Sequence, residues 1–112
     1  MDQRLNAVIA FMKTNLHRKL TPNEIAESVH LSPSRLRHLF KDETGKSLGR
    51  YRRELQLERA KHLLETTFLS VKEVASNAGI DGISHFVRDF AKAYGMTPAR
   101  YAERHRDVMH RP

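Results

Sequence analysis

The chain holds two short clusters of hydrogen-bond donors, Ser34, Arg35, Arg37, His38 and Lys41 in its first half and Ser84, His85, Arg88 and Lys92 in its second. An arginine can form a bidentate pair with guanine, serine and histidine can serve base edges or phosphates, and an aliphatic side chain such as Ile83 or Val87 can touch a thymine methyl. Other chemistries lack their residues. There is no cysteine, hence no disulfide, no thiolate nucleophile and no cysteine-bearing zinc site. Glu58 and His62 have the i, i+4 spacing of helical ligands, but no HExxH motif accompanies them, so neither a metal nor a cofactor is expected. No phosphate loop or nucleophile motif occurs, and the chain is not expected to be an enzyme.

The overall charge agrees with the donors. Lysine and arginine total 20 against 13 acids, a formal net charge of +7, and such an excess attracts polyanions. The surplus is local: residues 33–61 contain nine lysines and arginines and four acids. At 112 residues with 39% hydrophobic and 29% charged, the chain has enough apolar material for one or two small cores. It has no apolar run long enough for a membrane span. The opening Met1-Asp2-Gln3-Arg4 lacks the order of a secretory signal, so a cytoplasmic protein is expected.

The elements that position these donors emerge from an internal repeat. Leu20-Thr21-Pro22-Asn23-Glu24-Ile25-Ala26 aligns with Leu69-Ser70-Val71-Lys72-Glu73-Val74-Ala75 at an offset of 49, and Phe40, Gly45 and Tyr51 align with Phe90, Gly95 and Tyr101 at an offset of 50. The one-residue insertion falls near Gly82. Both copies open on a hydroxyl residue three positions before a glutamate, the pattern of a capping box, and Pro22 adds a first-turn proline. The spacing predicts helices over 22–29 and 33–43, then 71–78 and 83–93, with turns between. His30 aligns with Gly79 where the first helix of each copy must end, which predicts a positive φ at His30. Residues 48–65 contain no proline or clustered turn residues and carry Tyr51, Leu55, Ala60 and Leu64 at helical spacing, giving a connecting helix. An opening helix over 5–16 carries Leu5, Val8, Ile9, Met12 and Leu16. The polar tail after Tyr101 is expected to fray.

A short helix, a tight turn and a second helix make a helix-turn-helix, whose second helix can enter a major groove. At about 100° per residue, Leu36, Leu39 and Phe40 face inward, Ser34, His38 and Lys41 face outward, and Arg35 and Arg37 flank them. In the second copy Phe86 and Phe90 face inward, Ser84, Arg88 and Ala91 outward, with Ile83, His85 and Val87 between. Lys46, Arg50, Arg52 and Arg53 lie beside the first recognition helix, where phosphate contact is expected.

These residues resemble the DNA-binding domain of the AraC/XylS family of bacterial transcription regulators. Leu31-Ser32-Pro33-Ser34-Arg35-Leu36, Leu39-Phe40-Lys41 and Gly45 resemble its first recognition helix, and Leu57-Glu58-Arg59-Ala60 with Leu63-Leu64 its linker helix. Val74-Ala75, Gly79-Ile80, Ser84-His85-Phe86, Arg88, Phe90-Ala91-Lys92, Gly95, Thr97-Pro98 and Tyr101 resemble the second unit. The resemblance covers nearly the whole chain. It implies an all-α fold of about seven helices, in two helix-turn-helix subdomains (1–47 and 66–112) joined by a rigid linker helix (48–65). It also implies base contacts from Ser34, Arg37, His38, Ile83, Ser84, Val87 and Arg88. Around them, Arg35, Lys41, Lys46, Arg50, Arg53, His85 and Lys92 are expected on the DNA backbone. Three positions depart from the family pattern: Ile80 replaces a phenylalanine, Leu48 replaces the proline retained at Pro98, and Ile83 stands where a polar residue is common.

The expected function is sequence-specific binding of double-stranded DNA at a promoter operator, with two recognition helices in successive major grooves. The alternative is a helical adaptor whose basic faces bind an acidic protein. As a bacterial regulator of the activator kind, the chain is expected to work in the nucleoid with RNA polymerase. Relatives join such a domain to an effector-binding or dimerisation domain. The first unit, with its denser basic surroundings, is expected to anchor and the second to discriminate less or release more readily.

Overall fold

The computed structural model describes residues 1–109. Among them the chain forms seven helices: α1 (Gln3–Thr14), α2 (Pro22–Glu27), α3 (Pro33–Thr44), α4 (Leu48–Thr66), α5 (Val71–Asn77), α6 (Ile83–Tyr94) and α7 (Pro98–Met109). They build two compact units, Met1–Leu55 and Gln56 onward, with the division inside α4. No helix among the described residues is long and apolar enough to cross a membrane.

In unit 1, Leu5, Val8 and Met12 of α1 pack with Ile25 and Ala26 of α2, Leu36 and Phe40 of α3, and Leu48 and Leu55 of α4. The Phe40 and Tyr51 rings meet edge to face at 5.2 Å, a favoured aromatic geometry. The helix starts earlier than the apolar stripe suggests, because the Asp2 carboxylate accepts the Arg4 N–H and caps it at residue 3. Unit 2 repeats the scheme with Leu57, Ala60 and Leu64 of α4, Val74 and Ala75 of α5, Phe86 and Phe90 of α6, and Ala102 of α7. Ile80, the departure from the family's phenylalanine, is half-buried against this second core.

Both turns close by one hydrogen-bond pattern. Leu31 N–H donates to the Ala26 carbonyl and His30 N–H to that of Glu27; Ile80 and Gly79 do the same to Ala75 and Ser76. This is the Schellman arrangement, which requires a left-handed residue after the helix. His30 has φ 58° and Gly79 φ 75°, so the alignment of histidine with glycine marks the turn correctly. The capping boxes differ. Ser70 and Glu73 exchange both hydrogen bonds, whereas Thr21 accepts the Glu24 N–H while the Glu24 carboxylate turns to Arg18 at 3.0 Å.

The expectation that the chain frays after Tyr101 is overturned over the described residues, since α7 continues to Met109. Ala102 is buried, Arg106 Nη2 donates to the Leu69 carbonyl at 2.7 Å, and the His105 ring lies against Tyr101. A polar sequence conceals these attachments because each is made through an aliphatic stem, a ring face or a backbone oxygen. Residues 110–112 lie outside the described residues.

Candidate nucleic-acid interface

Helix α3, the expected first recognition helix, starts where the Ser32 hydroxyl accepts the Arg35 N–H, with Pro33 in the first turn. Leu36 and Phe40 are fully buried, which fixes the rotation of the helix about its axis. Ser34, Arg35, Arg37, His38 and Lys41 are in consequence all exposed. The helix ends at Gly45, φ 75°.

Helix α6 is held in the same way by Phe86 and Phe90. Ser84, His85, Arg88 and Lys92 are exposed, Val87 is half-buried, and Ile83 is 42% exposed, one of few large apolar side chains so placed. Arg88 Nη2 lies 2.6 Å from His85 Nδ1. Because a guanidinium can only donate, Nδ1 is the acceptor in this contact. Unlike α3, α6 begins at a glycine, Gly82 with φ 83°, and has no side-chain cap.

The flanking cations divide into two kinds. Lys46 and Arg50 both engage Glu54, at 2.6 and 3.5 Å. The Lys46 hydrogen bond, helped by both positive charges, holds the Glu54 carboxyl below the usual carboxylate range. Arg53 is exposed. Arg52, expected on the DNA side, is instead turned into unit 1: its Nη2 donates to the Arg18 carbonyl at 2.7 Å, and burial pushes the guanidinium below its ordinary range.

Three participants escaped the sequence reading. Gln56, a buried polar residue, donates from Nε2 to the Gly79 carbonyl at 3.0 Å and ties α4 to the second turn. Its signal, one amide between Leu55 and Leu57, is weak. Arg100 and Arg104 line an open recess against the end of α6, and the alignment of Arg50 with Arg100 could have revealed the first of them. Among the described residues no three histidine, aspartate or glutamate side chains converge as a metal site.

With this geometry in hand, residues 25–104 match the profile of a helix-turn-helix domain family. The chain is similar to the arabinose operon regulatory protein of Escherichia coli K12, 33% identical over 102 residues that cover 90% of this chain and 35% of that protein. It is also similar to the transcriptional activator RhaR of Enterobacter sp. 638, 31% identical over 102 residues covering 91% of this chain and 36% of the relative. The chain thus spans about a third of the length of these curated relatives. Among solved structures, an AraC-type regulator from Chromobacterium violaceum matches at a TM-score of 0.85 and 27% identity, covering 92% of both chains. The DNA-binding domain of AdpA, solved with a target DNA, matches at 0.84 and 26%, covering 94% of this chain and 95% of that one.

Proposed function

The chain belongs to the AraC/XylS family of bacterial helix-turn-helix regulators, and from that premise we propose that it binds double-stranded DNA sequence-specifically to regulate transcription. The observation that carries this reading is the pair of outward faces, Ser34, Arg37 and His38 on α3 and Ile83, Ser84, Val87 and Arg88 on α6. Each belongs to a helix whose buried residues, Leu36 and Phe40 in α3 and Phe86 and Phe90 in α6, leave its polar side chains exposed. These seven side chains read base edges in successive major grooves, whose centres lie about 34 Å apart. Arg35, Lys41, Arg53, His85 and Lys92 hold the phosphates, with Lys46 and Arg50, which Glu54 already engages, contributing more weakly. In the function proposed, residues 1–47 and 66–112 are the two reading units and 48–65 the linker, acting in the bacterial cytoplasm with RNA polymerase as the downstream partner.

Selection of bound duplexes from a random pool tests the proposal. One enriched site, preferred about a thousandfold or more over random DNA and weakening steeply with salt, is the expected result. Equal binding to every duplex overturns it.

A further inference from the structure

The repeat allows the two units to be compared position by position. Ser34, His38, Lys41 and Gly45 of unit 1 correspond to Ser84, Arg88, Ala91 and Gly95 of unit 2. Steps of four, three and four residues return to one face of a helix, so each set forms a single stripe. From its first to its last residue the stripe runs about 16 Å at ~1.5 Å per residue, whereas the major groove is only about 12 Å wide. A recognition helix lies in the groove with its N-terminal residues at the base edges, so with Ser84 and Arg88 there the Ala91 and Gly95 end of α6 lies toward the sugar–phosphate backbone.

At that end unit 2 has an open recess of about 700 Å³ lined by Ala91, Gly95, Met96, Thr97, Arg100 and Arg104. Arg100 and Arg104 lie one turn apart on α7, both exposed. No hydrogen bond or ion pair among the described residues engages either guanidinium. Glu103 and Asp107, the acids of the same helix, line the adjoining recess with the two arginines rather than the one against α6. The matching positions of unit 1 hold Arg50 and Glu54. There the Glu54 carboxylate already occupies Lys46 and Arg50, as a phosphate oxygen would. Unit 2 puts a second guanidinium where unit 1 has that carboxylate.

We propose that Arg100 and Arg104 form a phosphate clamp that grips one DNA phosphate at the C-terminal end of α6, a contact with no open counterpart in unit 1. The clamp rests on the DNA-binding reading above. It qualifies, at this position, the expectation that the first unit anchors more firmly, because in space Glu54 engages two of the cations beside α3.

The test uses the full chain with its selected duplex and with a random duplex, comparing wild type, Arg100→Ala/Arg104→Ala and Arg100→Lys/Arg104→Lys across a fourfold rise in salt. Loss of one phosphate contact lowers the log–log salt slope by about 0.9, so the alanine variant should lose about 3.5-fold less affinity than wild type over that rise. The expected result is that shift on both duplexes, with base preference unchanged and the slope kept by the lysine variant. An unchanged slope in an alanine variant of wild-type circular dichroism and melting temperature overturns the clamp, while intact site selection leaves the DNA-binding reading standing. If wild type itself selects no duplex, both fall together.

Discussion

Arg88 and Tyr101 show how differently two polar side chains of the same unit are used. Arg88 stands exposed beside His85, so its removal is expected to spare the fold and to show in DNA binding. Arg88→Ala should relax preference at one base pair of the site by about 1–3 kcal/mol, while Arg53→Ala weakens all duplexes alike. Competition binding against single-base variants separates the two, and a uniform loss for Arg88→Ala removes its reading role. Tyr101 points inward. Its ring meets Phe90 at 5.5 Å and its hydroxyl donates to Glu65 at 2.9 Å. Burial first, and then the Glu65 carboxylate, push its pKa up to about 12. The folded chain thus keeps a proton that the unfolded chain releases near pH 10. The Tyr101 contribution is fully present below that pH and is lost as pH rises through about 12. Tyr101→Phe should lose less stability than wild type over this window in denaturant titrations at stepped pH, and parallel loss would place the effect elsewhere.

At the scale of the element, the turns decide the geometry. The same Schellman closure holds a histidine in unit 1 and a glycine in unit 2, at φ 58° and 75°. A side chain in the left-handed region costs about 1–2 kcal/mol, so Gly79→Ala should lower stability by about 1 kcal/mol. His30→Gly should raise it by less, since glycine carries its own entropic cost on folding. Urea melts of both variants check this, and a destabilising His30→Gly would mean that the imidazole makes a contact worth more than the backbone relief. The turns were readable because capping and termination are local, involving residues within five positions of one another. The course of α7 was not, because Arg106 reaches the Leu69 carbonyl 37 residues away. For the same reason Arg52 was misplaced: its partner, the Arg18 carbonyl, is 34 positions distant.

At the scale of the whole molecule, two cores share one helix. Phe40 and Phe90 are fully buried at matching places in separate clusters, and truncation of such a ring to alanine costs about 3–5 kcal/mol. Hydrogen exchange should then show Phe40→Ala losing protection first in residues 1–55 and Phe90→Ala first beyond residue 56, following the division inside α4. Equal loss of protection in both units for either variant would show that they unfold as one.

By itself the sequence determined the repeat, the two helix-turn-helix units, the inward and outward faces of α3 and α6, and the left-handed residue at each turn. All of these follow from periodicity and capping, which act over one or two helical turns. Only the tertiary structure decided which cations remain open. Lys46, Arg50, Arg100 and Arg104 are alike in composition, yet Glu54 engages the first two while the second two line an open recess. Charge is counted along the chain, but it is neutralised in space.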